Sequence, residues 1–145
     1  MAKVLVVHGA GMNMRGKAQI DTFGPMTLDQ YDNAIMGYAM DLKVMAETFH
    51  SNLEGDIINR FYAAHDDGID AAIINPAGFA NGYPALVGAI NQVRFPTIEV
   101  HISNPAARGN PSLVGTACKG TIAGFGIFGY YLAFQAALNL MKPRT

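Results

Sequence analysis

The chain reads as an α/β domain with a parallel five-stranded sheet and helices on both faces. Three observations predict this. Short apolar runs recur along the chain, each closed by His, Gly, Asn or Pro. Stretches of helical periodicity stand between them, and strand–helix alternation implies right-handed crossovers and parallel pairing. The length of 145 residues suits one domain with one sizeable core, and no repeat, linker or low-complexity segment interrupts it.

Val4 to Val7 is a continuous apolar run ended by His8 and Gly9, as expected of a strand buried on both faces. Residues 9–25 hold four glycines and no steady period, so they form a long loop of the kind that often serves as a lid. Thr27 and Gln30 form a capping box opening a helix whose apolar stripe is Leu28, Tyr31, Ile35 and Tyr38. Ser51 and Glu54 read as a second box, ahead of Ile57, Ile58, Phe61 and Tyr62, and this favours a strand over 44–49. Gly68 stops that helix. A third strand runs from Asp70 to Ile74, ended by Asn75-Pro76. Residues 77–83 are a glycine-rich turn, and Pro84 opens a helix to about Gln92. Thr97 to Ile102 is the fourth strand, 104–111 a loop, Thr121 to Ala123 a short fifth strand, and Phe128 to Met141 the last helix.

Composition excludes several classes. A formal net charge of -1 with no basic run leaves nucleic acid no electrostatic footprint. No apolar stretch approaches the ~20 residues of a membrane helix, and Val4–Val7 is too short for a signal peptide. Cys118 is the only cysteine, so no disulfide forms within the chain, and a cytoplasmic location is expected. Half the residues are hydrophobic and 14% charged, which favours a buried subunit interface and hence a homo-oligomer.

Polar residues collect where strands end: His8 and Gly9 after the first, His50, Ser51 and Asn52 after the second, Asn75 after the third. The fourth carries Glu99, His101 and Ser103 on one face, followed by Asn104 and Arg108. In open α/β sheets ligands bind outside the carboxyl ends of the strands, so this edge is the expected small-molecule site. A buried Glu and His must be paired or face a cavity; a structural pair at a subunit contact is the plainer alternative. His8 is a candidate acid or base, or a strand-end cap. His50 is a candidate helper, or a cap. Tyr83 is a less certain helper. His65 reads as solvated, and Cys118 as a small buried residue rather than a nucleophile. Gly9-Ala10-Gly11 lacks the remaining features of a nucleotide loop, and no His, Glu and Cys spacing makes a metal site. No cofactor and no metal is therefore expected.

The segment Glu99-Val-His-Ile-Ser-Asn104 with Arg108, together with Ser51-Asn52-Leu53-Glu54-Gly55, Asn75-Pro76-Ala77 and Gly120-Thr-Ile-Ala-Gly-Phe-Gly leading to Tyr130, resembles the type II 3-dehydroquinate dehydratases over nearly the whole chain. The resemblance implies a flavodoxin-like fold, assembly from trimers, commonly into a dodecamer, and dehydration through an enolate. It also implies a loop Tyr with a nearby Arg as base, an Asn supporting the enolate, and a general-acid His after Asn-Pro that Glu99 orients. Those positions hold Phe23, Ala18, Gly11 and Asn81 here. A substrate-binding Arg aligns with Ser112, and an acidic residue reaching a neighbouring subunit aligns with Gly88. Asn75, Ile102, Ser103, Arg108, Glu99 and His101 match positions that hold or surround the substrate.

These substitutions lead to the expectation of a divergent enzyme acting by acid–base enol chemistry on a small oxygenated or carboxylated ring other than dehydroquinate. His8, His101 and Glu99 would be catalytic. Asn75, Asn81, Ile102, Ser103, Arg108, Tyr83 and His50 would hold the substrate. The loop bearing Gly11, Asn13, Arg15 and Phe23 would close over it, and its apolar content predicts a dry pocket. The alternatives are a genuine 3-dehydroquinate dehydratase with relocated catalytic groups, and a non-catalytic binding or scaffold protein.

Overall fold

The computed structural model describes residues 1–141. Its strands are β1 (Lys3–Ala10), β2 (Met45–His50), β3 (Ala71–Ala77), β4 (Thr97–His101) and β5 (Gly120–Ala123). They form one sheet in the order β2-β1-β3-β4-β5, every pair parallel. The helices are α1 (Ile20–Phe23), α2 (Leu28–Asp41), α3 (Glu54–Asp67), α4 (Pro84–Gln92) and α5 (Phe128–Leu140). This is the flavodoxin-like α/β arrangement.

The period of two along each strand divides the core. Val4, Val6, Ala71, Ile73, Ile98 and Val100 pack against Tyr31 and Ile35 of α2 and Tyr130 and Phe134 of α5. Leu5, Val7, Ala72 and Ile74 pack on the other face against Ile57 and Phe61 of α3 and Leu86 and Ile90 of α4. Both faces are therefore covered, and the strands read as unbroken apolar runs.

Local signals act where they are self-contained. Thr27 accepts from the Gln30 amide while Gln30 accepts from that of Thr27, so the first capping box is complete. Gly68 closes α3 at φ 76°, and Pro84 opens α4. The second box is not formed. Ser51 Oγ accepts from Leu53 N and donates to Asp56, two residues beyond Glu54, and the residue capping α3 is Leu53.

β1 and β3 run further than expected, with Ala10 in register with Ala77. The extension depends on Gly9, where a Cβ would stand 2.0 Å from the Pro76 carbonyl oxygen. The loop 9–25 is partly ordered by a 3-10 turn at Met12–Met14 and by α1, with Met12 buried.

Candidate active site

Parallel strands bring all their carboxyl ends to one edge of the sheet. Over that edge lies a hollow of about 340 Å³, lined by the loop after β1, the turn after β3 and the segment after β4. Asn75, His101, Ile102, Ser103 and Arg108 line it, with Gly11, Arg15 and Phe23 on the loop side. Gln19 and Asn110 also line it, and sequence reasoning passed over both. Gln19 has a positive φ of 53° and Ala77, on the floor, one of 46°. Non-glycine residues rarely hold that conformation, which concentrates at functional sites.

Asn75 is fixed by two contacts. Its Nδ2 donates to the Tyr130 hydroxyl at 3.3 Å, and its Oδ1 accepts from Ala77 N at 3.2 Å. With the carbonyl occupied, the amide retains one N–H for a ligand oxygen. Tyr130 is fully buried, and burial pushes its hydroxyl well above the ordinary phenol range, so it stays protonated.

Glu99 stands behind the hollow. Its Oε2 accepts from Ser112 at 2.6 Å and lies 3.2 Å from His101 Nε2, and its Oε1 accepts from Thr121 at 2.9 Å. Burial raises its pKa, but the imidazole and the two hydroxyls outweigh burial and hold the carboxyl below its ordinary value. Gly115 permits this packing, since a Cβ there would meet Oε1 at 2.8 Å. Sequence comparison left Glu99 without an imidazole, because the position after Asn-Pro holds Asn81. The structure supplies His101, two residues along the same strand face.

Several expected site residues lie elsewhere. His8 is completely buried and lines no part of the hollow. The alternation of β1 turns it onto the α2 and α5 face, where Nε2 meets Asp32 Oδ1 at 2.7 Å and the ring stands edge-on to Tyr130. Asp32 had no sequence signal beyond a polar residue on a helix. His50, beside His8 in the register, is likewise absent from the lining. Burial chiefly, then His8, lowers its pKa against a hydrogen bond with Asn52 and the charge of Asp32. Tyr83 packs edge-on to Phe79 in the core layer beneath α4, outside the lining. Asn81 does not line the hollow either; it donates to Asn110, which does. Asn13 is exposed, and Ser112 is used by Glu99. Cys118 is held by burial, then by Glu99, at a pKa pushed up to about 12, an unreactive thiol.

The dry pocket is corrected in part. Met14, Ala18 and Phe23 line the hollow as expected, but Met12 turns into the core and Ile20 out to solvent, and neither lines it. Two guanidinium groups do. Arg15 Cζ stands 3.7 Å, and Arg108 Cζ 6.0 Å, from the Phe23 ring centroid, and Arg108 donates to Ser103 Oγ at 2.8 Å. Arg15 was singled out only as part of the lid. Its signal was an Arg in a glycine-rich loop ahead of an aromatic, but which residue turns inward depends on the 3-10 turn.

Fold and site together define a flavodoxin-like α/β protein with two guanidinium groups lining a hollow at the carboxyl edge of its sheet. The model of the class II dehydroquinase family matches residues 2–138. The chain is 37% identical to the 3-dehydroquinate dehydratase of Syntrophotalea carbinolica over 98% of both chains. It is 40% identical to that of Caldanaerobacter subterraneus, covering 94% of this chain and 93% of that one. Among solved structures, the type II dehydroquinase of Butyrivibrio crossotus superposes with a TM-score of 0.90 at 30% identity, over 94% of this chain and 97% of that one. A 3-dehydroquinate dehydratase-like protein from Bifidobacterium longum gives 0.75 at 29%, over 99% and 100%. The chain belongs to the class II dehydroquinase family. These full-length likenesses overturn the expectation of an enzyme devoted to another ring and favour the alternative, a genuine dehydratase. No helix among the described residues is long and apolar enough to cross a membrane.

Proposed function

We propose that the chain is a 3-dehydroquinate dehydratase whose catalytic groups stand at positions other than the family's loop tyrosine. The observation that carries this reading is the 37% identity, over 98% of both chains, to an enzyme of that name. The hollow supports it with two guanidiniums, a fixed Asn75 amide and the Ile102–Ser103 segment, suited to a hydroxylated carboxylate.

The reaction removes a proton beside the ketone, then expels a hydroxyl two carbons from that ketone as water. Phe23 carries no oxygen and the lining includes no carboxylate, so the proton passes to solvent water. His101 gives its proton to the departing hydroxyl, with its ring oriented by Glu99, and regains one from solvent. We read the protein as cytoplasmic and as a trimer-based homo-oligomer. Exposed Leu113, Phe125 and Phe128 support an interface, and light scattering of the purified chain tests it.

The decisive experiment is an assay with 3-dehydroquinate, following the ultraviolet absorbance of the conjugated enone product. Turnover with kcat on the order of 10 s⁻¹ is expected. A rate no greater than the uncatalysed reaction at saturating substrate overturns the reading.

A further inference from the structure

Arg15 is a guanidinium without an anion. It is 8% exposed, and its Nε is buried with no hydrogen-bond partner. Among the described residues it enters no salt bridge. The groups beside it are the phenols of Tyr31 and Tyr130, which burial keeps protonated. Its cation–π contact with Phe23 recovers only part of what desolvation costs. A buried cation with no protein counter-charge, facing a hollow whose lining contains no Asp or Glu, is a site waiting for a negative charge.

The hollow has a second cation. Arg108 is exposed, touches the same ring and is tied to Ser103. A carboxylated ketone carries one negative charge at the start and gains a second only when the proton beside the ketone leaves. Arg108 and Ser103, beside the Ile102–Ser103 backbone, suit the permanent charge. Arg15, desolvated and held on its loop, suits the transient one.

We propose that Arg15 is an oxyanion clamp, binding the ketone oxygen and stabilising the enolate that forms there. In the step it serves, the C–H bond breaks and its proton passes to water. The C–H electron pair becomes the enolate double bond, and the carbonyl π pair moves onto the oxygen facing Arg15. The pair then returns as the hydroxyl departs with the proton from His101. The proposal rests on the dehydratase reading. Preorganised charge aimed at developing charge lowers the barrier without tightening ground-state binding equally.

The test is steady-state kinetics of the unaltered protein, Arg15→Met, Arg15→Lys and Arg108→Met with 3-dehydroquinate, and with the same substrate deuterated beside the ketone. Arg15→Met is expected to lower kcat about 10²–10³-fold with KM nearly unchanged. Its deuterium isotope effect is expected to grow, because proton removal becomes slower. Arg108→Met is expected mainly to raise KM. A raised KM with unchanged kcat for Arg15→Met overturns the clamp and leaves the dehydratase reading intact. An inactive unaltered protein overturns both. If Arg15→Met does not fold, Arg15→Lys must itself lose at least about tenfold in kcat at unchanged KM, since it lacks the planar fork, or the clamp is wrong.

Discussion

Glu99 Oε2 lies 3.2 Å from His101 Nε2, two residues apart on one face of β4. Ser112 donates to the same oxygen and Thr121 to the other, so His101 meets a fixed rather than a mobile partner. His101→Asn should lower kcat about 10²–10⁴-fold, the usual contribution of an acid–base group. Glu99→Gln should cost on the order of 10²-fold in kcat with little change in KM, since it leaves the ring in place but unoriented. Equal effects of both variants on KM alone would contradict these roles.

Tyr130 holds the Asn75 amide from beneath. Tyr130→Phe keeps the ring in the core and removes only the acceptor. A donor left unpaired in a buried site costs about 1–3 kcal/mol. The amide is then free to turn, so KM should rise about tenfold while kcat changes less. Urea unfolding and saturation kinetics on the same variant test both consequences together.

What was legible in the sequence was local. The Thr27–Gln30 box, the Pro84 start and the Gly68 stop each act within one turn of chain, and all three are formed. Asn75, Ile102, Ser103 and Arg108 were found at the hollow because strand ends of a parallel sheet share an edge. Contacts chosen by tertiary structure were not legible. Ser51 had Glu54 at the right spacing but bonds Asp56. His8 stands at the right strand end, yet side-chain alternation turns it to Asp32 on α2. Arg15 was read only as part of the loop, and its inward place beside Ala18 depends on a 3-10 turn that sets the loop's direction.

His50 makes stability depend on pH. In the folded protein its pKa lies below the ordinary 6.5, chiefly through burial and then through His8, opposed by Asn52 and Asp32. Below pH 6.5 the unfolded chain therefore takes up this proton before the folded one. Its contribution is complete above that value and is lost as pH falls through the folded pKa. Urea midpoints measured from neutral to mildly acidic pH should decline, and His50→Gln should flatten that part of the curve. An equally steep decline in the variant would assign the effect to another group.

Gly9 tests how the floor of the hollow is built. It sits between buried His8 and hollow-lining Ala10, where β1 passes β3. A Cβ there would lie 2.0 Å from Pro76 O and 2.6 Å from Pro76 C, both backbone atoms that cannot rotate away. Gly9→Ala must therefore part the two strands. Overpacking of this kind costs on the order of 3 kcal/mol. The displacement falls next to Asn75 and Ala77, so substrate binding should weaken in whatever fraction remains folded. Gly11 offers the control, because nothing lies within 4 Å of a Cβ built there. Gly11→Ala meets only the strain of its φ of 88°, about 1–2 kcal/mol. Thermal melts should rank the unaltered protein above Gly11→Ala, and Gly11→Ala above Gly9→Ala; the reverse order of the two variants would mean that the end of the β1–β3 pairing is looser than its geometry implies.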